Sequence, residues 1–140
     1  MAVSLSAQTS VTIDGIKYNI DGSTATVTYP NDTEPGTSEY TGYIIIPATI
    51  TVDDVTYDVT AIGAKAFRKA NITSISLPEG LLSIGKEAIY NTKITEITVP
   101  NSVATLGKYA IRQNSKLQTI SFGEHIADNP WGEWVFHYER

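Results

Sequence analysis

The sequence predicts an α/β, β-rich fold in which short repeats stack into a right-handed solenoid, led by an antiparallel β cap and closed by an aromatic capping strand. Three observations carry this. Ile62-Gly63 returns as Ile84-Gly85 and Leu106-Gly107 at equal spacing, and self-similarity at a fixed period of this kind marks a repeat architecture. Whole neighbourhoods keep the same phase: Ala66-Phe67, Ala88-Ile89 and Ala110-Ile111, then the strand-like runs Ile72 to Pro78, Ile94 to Pro100 and Leu117 to Gly123, the last starting one position late. The flanking segments lack this period. At 140 residues, 41% hydrophobic and 18% charged, the chain suits one unit able to bury a core.

Residues 1–10 stand outside the fold. They lack the positive region and long apolar stretch of a signal peptide, but small residues at Ser6-Ala7 before polar Gln8-Thr9 suit the tail of one, and a frayed polar terminus fits equally. Residues 11–60 read as an N-terminal β cap leading into the first coil. Asp14-Gly15 between Thr12-Ile13 and the run from Ile16 to Ile20 is a favourable type I′ hairpin turn. Thr24 to Tyr29 continues the sheet, and Pro30 to Ser38 has the composition of an exposed loop. Gly42 to Ile46 is a strand in phase with the repeats. The surplus after Pro47 fits a second hairpin, Thr49–Val52 and Val55–Val59 around Asp53-Asp54.

Residues 61–126 hold the repeat units, each of about 22–23 residues. Within a unit, Ile75-Ser76-Leu77 reads as a short strand and Gly63 to Lys69 as one or two helical turns. Stacking aligns five apolar columns: Ile72/Ile94/Leu117, Ile75/Ile97/Ile120, Leu77/Val99/Phe122, Leu81/Val103/Ile126 and Ile62/Ile84/Leu106. No unit buries its own apolar side, so a continuous core needs neighbours at a strand spacing of roughly 4.8 Å. Gly63, Gly85 and Gly107 fit a corner that needs positive φ or close backbone approach; Ala66, Ala88 and Ala110 fit sites where coils crowd. Pro78 and Pro100 end their strands. In residues 127–140, Asn129-Pro130 break the phase, and the alternation of Trp134, Phe136 and Tyr138 suggests a closing strand over the last coil, with Trp131 beside it.

Composition removes several function classes. A formal net charge of -5 opposes a grip on nucleic acid or anionic lipid through bulk positive charge. Without cysteine there is no disulfide scaffold, thiolate zinc site or Cys nucleophile. No run approaches the roughly 18 apolar residues of a spanning helix, so membrane insertion is not expected. No P-loop, nucleophile elbow or dinucleotide fingerprint occurs, and no catalytic residue, metal ligand or cofactor is assigned. His125 and His137 with Glu124, Asp128 and Glu133 match no ligand spacing. Asp53, Asp54 and Asp58 are explained by turn chemistry.

The units Ile84-Gly-Lys-Glu-Ala-Ile89 and Ile94-Thr-Glu-Ile-Thr-Val-Pro100, with Ile62-Gly63-Ala64-Lys65-Ala66-Phe67, resemble the BspA-type (Treponema-pallidum-type) leucine-rich repeats of bacterial surface proteins. The likeness covers about residues 42 to 126. It implies a leucine-rich repeat solenoid and a non-enzymatic module for adhesion or recognition at the cell surface or outside the cell. The implied partner is an extracellular protein ligand, host matrix proteins included. The family's usual Cys after Ala-Phe is replaced here by Ala70, Thr92 and Asn114.

Two candidate binding surfaces follow. Outward strand positions form polar ladders, Thr73/Thr95/Gln118, Ser74/Glu96/Thr119 and Ser76/Thr98/Ser121, on the sheet that lines the concave recognition face of leucine-rich repeats generally; an ordinary solvated face explains them too. Trp131, Trp134 and Tyr138 could instead stack on a sugar, making a carbohydrate-binding module the alternative. Charge is also segregated. Residues 1–60 carry Lys17 against eight acids, whereas residues 61–120 carry eight basic residues against three acids. Lys65, Arg68, Lys69, Lys86, Lys108 and Arg112 lie on or beside the expected helical turns.

Overall fold

The computed structural model describes residues 9–122, and its regular elements are all strands. β1 (Thr9–Ile13) and β2 (Ile16–Asp21) form an antiparallel hairpin, in which Thr9 and Ser10, expected outside the fold, pair with Ile20 and Asn19. Its turn residues Asp14 and Gly15 have φ of 50° and 81°, the two positive values a type I′ turn requires. β3 (Thr24–Thr28) pairs antiparallel with β2. After an irregular stretch come β4 (Thr41–Ile45) and the hairpin of β5 (Thr49–Val52) with β6 (Val55–Ile62). Asp53 and Asp54 form the turn of that hairpin, again with both φ positive, 50° and 66°.

β7 (Asn71–Ser76), β8 (Ser83–Ile84), β9 (Glu96–Val99), β10 (Thr105–Leu106) and β11 (Thr119–Phe122) complete the series. They build two walls. On one, β3, β6, β8 and β10 lie side by side and parallel, with β2 and β1 continuing beyond β3. On the other, β4 pairs parallel with β7 and β9 with β11. Each unit thus adds one strand to each wall.

The segments 63–70, 85–92 and 107–114 join the walls, and here the expected helical turns are absent. Positive φ recurs at Lys65 and Lys69, Glu87 and Asn91, Tyr109 and Gln113, which no α-helix accommodates. The hydrogen bonds give the reason. Lys65, Phe67 and Lys69 donate their N–H groups to the carbonyls of Lys86, Ala88 and Tyr90 at 2.9, 2.7 and 2.7 Å, and Glu87, Ile89 and Asn91 do the same to Lys108, Ala110 and Arg112. The residues between them close turns within the unit, as Ala66 does on Gly63 and Ala70 on Phe67. A helix directs every N–H along its own axis; this ribbon sends alternate ones to its neighbour.

The predicted columns form the core. Ile62, Ile72, Leu81, Ile84, Ile94, Ile97 and Val99 are buried, with Ala66, Phe67, Ala88, Ile89 and Ala110 between the walls. Leu117 and Ile120 are partly buried and Phe122 is exposed. Ile126 and the expected aromatic capping strand lie outside the described residues. Of the two reasons offered for the glycine column, close approach is correct. A Cβ on Gly85 would stand 2.8 Å from Ala64 N, and one on Gly107 2.5 Å from Lys86 N.

Two polar features that the sequence did not disclose hold this core together. Where the family has Cys, Asn114 is buried and fully bonded. Its Oδ1 accepts from Thr92 N and Thr92 Oγ1, both at 2.7 Å, and its Nδ2 donates to Ile89 O at 2.8 Å and Ile111 O at 3.0 Å. The extra residue of this unit is taken up in the turn that Leu117 N closes on Asn114 O. Near the other end, buried Tyr40 rests its ring 4.9 Å from that of Phe67. Its hydroxyl donates to Thr28 O and accepts from Lys17 N, bolting β2 and β3 to the first unit.

Candidate functional site

The candidate site is the outward side of β4, β7, β9 and β11. Ile72, Ile75, Ile94 and Ile97 point inward, whereas Thr73, Ser74, Ser76, Thr95, Glu96, Thr98, Gln118, Thr119 and Ser121 are all exposed. Side chains alternate between faces along Ile75-Ser76 and Glu96 to Val99, while Thr73 with Ser74, at a register shift against β4, and Thr95 with Glu96 are consecutive outward pairs. Register aligns them, with Thr119 opposite Glu96 and Ser121 opposite Thr98. The ladder opens between β7 and β9, which are joined through Lys93 N to Ile72 O at 3.1 Å. A shallow groove of about 280 Å³ runs there past Ser74, Ser76, Glu96 and Thr98. Among the described residues Glu96 is its one ionisable side chain. Such a surface offers hydroxyl donors and acceptors rather than a paired acid and base.

The ladder has a first rung that the sequence reading did not include. Tyr43 lies opposite Ser74 and Ile45 opposite Ser76, and these side chains are 82% and 73% exposed. They alternate with buried Ile44 and Ile46, so the run Tyr43-Ile-Ile-Ile46 reads as buried on both faces although only one is covered. The signal lay in the phase itself, since Tyr43 and Ile45 occupy the positions of Ser74 and Ser76. Beside them a cleft of about 690 Å³ extends under the β1–β2 turn.

The basic residues lie on the turn ribbon, as their phase implied, and Lys65 and Arg68 are engaged within the molecule. Lys65 pairs with Glu34, whose carboxyl it holds below the usual carboxylate range. Arg68 bonds Glu87 at 2.9 Å and Gly36 O at 2.6 Å, with its guanidinium 5.6 Å from the Tyr90 ring. Lys108 and Arg112 both lie over the Tyr109 ring, at 4.9 and 4.6 Å. The loop of residues 30–38 is therefore only partly the free loop expected. Ser38 is buried, its N–H donating to Arg68 O and its Oγ to Ala66 O, both at 2.7 Å.

Trp131, Trp134 and Tyr138, together with His125 and His137, lie outside the described residues. Asp53 and Asp54 occupy a hairpin turn and Asp58 an exposed position on β6.

Comparison with known proteins agrees with this arrangement. No curated protein matches the chain. Among solved structures, a leucine-rich repeat protein from Bacteroides capillosus superimposes with a TM-score of 0.57 at 26% identity, over 81% of this chain and 98% of that one. The pneumococcal vaccine antigen PcpA superimposes with a TM-score of 0.58 at 22% identity over 83% of this chain, which spans 38% of that protein. The profile of the BspA type leucine-rich repeat region matches residues 48–137 in six copies. Strands stacked in register once per repeat, glycine at each corner and a sequence profile covering most of the chain lead to one assignment: this chain belongs to the BspA type leucine-rich repeat family.

Proposed function

We propose that the chain is a non-enzymatic interaction module of the bacterial cell surface or of a secreted protein, and that its outward ladder recognises an extracellular protein ligand such as a host matrix protein. In this reading the units form a right-handed solenoid. Residues 11–60 cap its first coil and residues 127–140 its last. The observation that carries the proposal is the exposed ladder over a groove: Ser74, Ser76, Glu96 and Thr98 present polar groups at fixed intervals from rigid strands, which suits recognition of an extended surface. Family membership supports the protein-interaction class.

The test is a matrix-protein and glycan array probed with the purified chain and with Ser76→Lys/Thr98→Lys. Binding to a matrix protein that falls about tenfold in the double variant, with unchanged melting, is the expected result. Equal binding by the variant would sink the ladder reading. Glycan signals that vanish only in Trp134→Ala would replace it with the carbohydrate-binding alternative.

A further inference from the structure

The wall built by β4 and β7 ends on β4, and among the described residues no strand pairs with the far edge of β4. Ile46 N donates to Ser76 O at 3.0 Å, so the alternation of a parallel ladder turns the N–H and C=O of Tyr43 and Ile45 toward that open edge. The edge is neither short nor charged, the usual protections. It carries instead the two most exposed large apolar side chains of the described residues, Tyr43 and Ile45. Alongside runs the cleft of about 690 Å³, floored by Ile16, Tyr18 and Tyr40 and rimmed by Asp14 and Glu39.

A second observation concerns a residue that floors the same cleft. Tyr18 is fully buried, and its hydroxyl has no hydrogen-bond partner among the described residues, a state that costs about 1–3 kcal/mol. Burial chiefly, with Tyr40 and Asp14 adding to it, pushes this phenol up to about 12, so it stays a donor at any physiological pH.

We infer that the open edge of β4 is a docking site for an extended peptide segment of a partner, apolar at alternate positions and basic at its flanks, which pairs with the backbone of Tyr43 and Ile45 as an added strand. The unpaired main chain calls for a strand rather than a helix or a small molecule. A pairing strand sends alternate side chains over Ile45 and Tyr43 on the outer face and into the cleft on the inner face. The charge favours a cation: Asp14 and Glu39 are the ionisable carboxylates of the lining, which contains no Lys or Arg among the described residues, and residues 1–60 carry eight acids against Lys17. The site rests, like the proposed ladder, on the premise of a protein partner and adjoins it through Tyr43 and Ile45, but it engages the main chain of β4 rather than the polar rungs and is tested apart from it.

The probe is a labelled synthetic peptide of alternating valine and threonine flanked by arginines, titrated by fluorescence anisotropy. Binding is expected to weaken at least about tenfold when alternate peptide amides are N-methylated, when the flanks become glutamate, or in Ile45→Lys. Amide exchange at Tyr43 and Ile45 should slow in the complex. Thr98→Lys/Ser121→Lys, ladder positions on β9 and β11 that do not adjoin β4, should bind the peptide normally, which separates failure here from failure of the ladder. Since Ile45 is exposed, Ile45→Lys should melt as the parent does, and Ile45→Thr gives a second test should it not. No measurable binding, or binding indifferent to N-methylation and to both Ile45 variants, overturns the inference. So does concentration-dependent self-association that Ile45→Lys abolishes while the peptide has no effect, because the occupant would then be a second copy of this chain.

Discussion

The turn ribbon and the β4–β7 wall are both stacks of main chain, yet their first rungs are treated in opposite ways. On the ribbon, Ser38 meets the first unit with an N–H and a hydroxyl, satisfying Arg68 O and Ala66 O, while Glu34 neutralises Lys65. On the wall, β4 presents Tyr43 and Ile45 with nothing paired beyond them among the described residues. The N-terminal segment therefore closes one ladder and leaves the other open. The difference teaches where stability and recognition reside: the ribbon's polar groups are used internally, and the wall's are turned outward. Internal use also bears on the charge segregation, because part of the acidic N-terminal segment already meets the basic repeats through the Glu34–Lys65 pair.

This contrast can be broken most forcefully at the corner of the ribbon. Gly85→Val places a branched side chain where even a Cβ stands 2.8 Å from Ala64 N and 3.1 Å from Gly63 C and Ile62 O. Backbone cannot retreat without parting two units, so the variant should lose about 3 kcal/mol or more, measured by urea denaturation. A loss below about 1 kcal/mol would show that the stack yields at this corner.

Asn114→Ala should follow, at about 2–4 kcal/mol, because unpaired buried groups bear their desolvation cost. The change strands Thr92 N and Oγ1 as well as Ile89 O and Ile111 O in a buried site. Because Thr92 and Asn114 share the bonds, Thr92→Ala/Asn114→Ala should cost less than the sum of the two single changes. Additive losses would mean that the pair does not act as one network.

Ser38→Ala is expected to cost about 1–2 kcal/mol, since Ala66 O loses its side-chain donor although the Ser38 N–H still serves Arg68 O. A corresponding polar change on the wall, Thr98→Ala, should stay within about 0.5 kcal/mol because the side chain is exposed. Equal effects at the two positions would erase the distinction between ribbon and wall.

The smallest expected effect at neutral pH sharpens the comparison at its boundary. Tyr18→Phe removes a buried, unpartnered hydroxyl and should be neutral or stabilising by up to about 1 kcal/mol. Its pH dependence is more telling. Burial raises Tyr18 and Tyr40 from 10.0 to about 12, so between these values the unfolded chain releases phenolic protons that the folded chain retains. Stability is then complete below about pH 10 and falls as the pH rises toward about 12. Tyr18→Phe should shrink that fall in pH-dependent melts; an unchanged alkaline profile would mean that its phenol ionises freely in the folded chain.

Several features needed no structure. A constant period with aligned apolar columns indicated most of the side chains that face the core, because no isolated unit can bury them, although Leu77 is only partly buried and Phe122 is exposed. Asp14-Gly15 and the surplus around Asp53-Asp54 indicated hairpins, since a two-residue turn between strands has few alternatives. Glycine at each Ile-Gly or Leu-Gly corner signalled positive φ or close approach, and the structure decides for close approach. The helical turns were misread because Gly63 to Lys69 has helix-compatible residues, and only the neighbouring carbonyls of Lys86, Ala88 and Tyr90 decide that alternate amides leave the unit. Local propensity is silent on that competition.

What tertiary structure alone decided are the contacts between segments with no shared pattern. Ser38 on Ala66 and Tyr40 on Lys17 and Thr28 join residues whose positions in sequence carry no mark of their partners. The open edge belongs with them. The phase of β4 with the repeat strands was visible in the sequence, but whether another strand covers that edge depends on where the β1–β2 hairpin goes. It pairs through β3 with β6 on the opposite wall, and that choice leaves β4, among the described residues, as the uncovered edge.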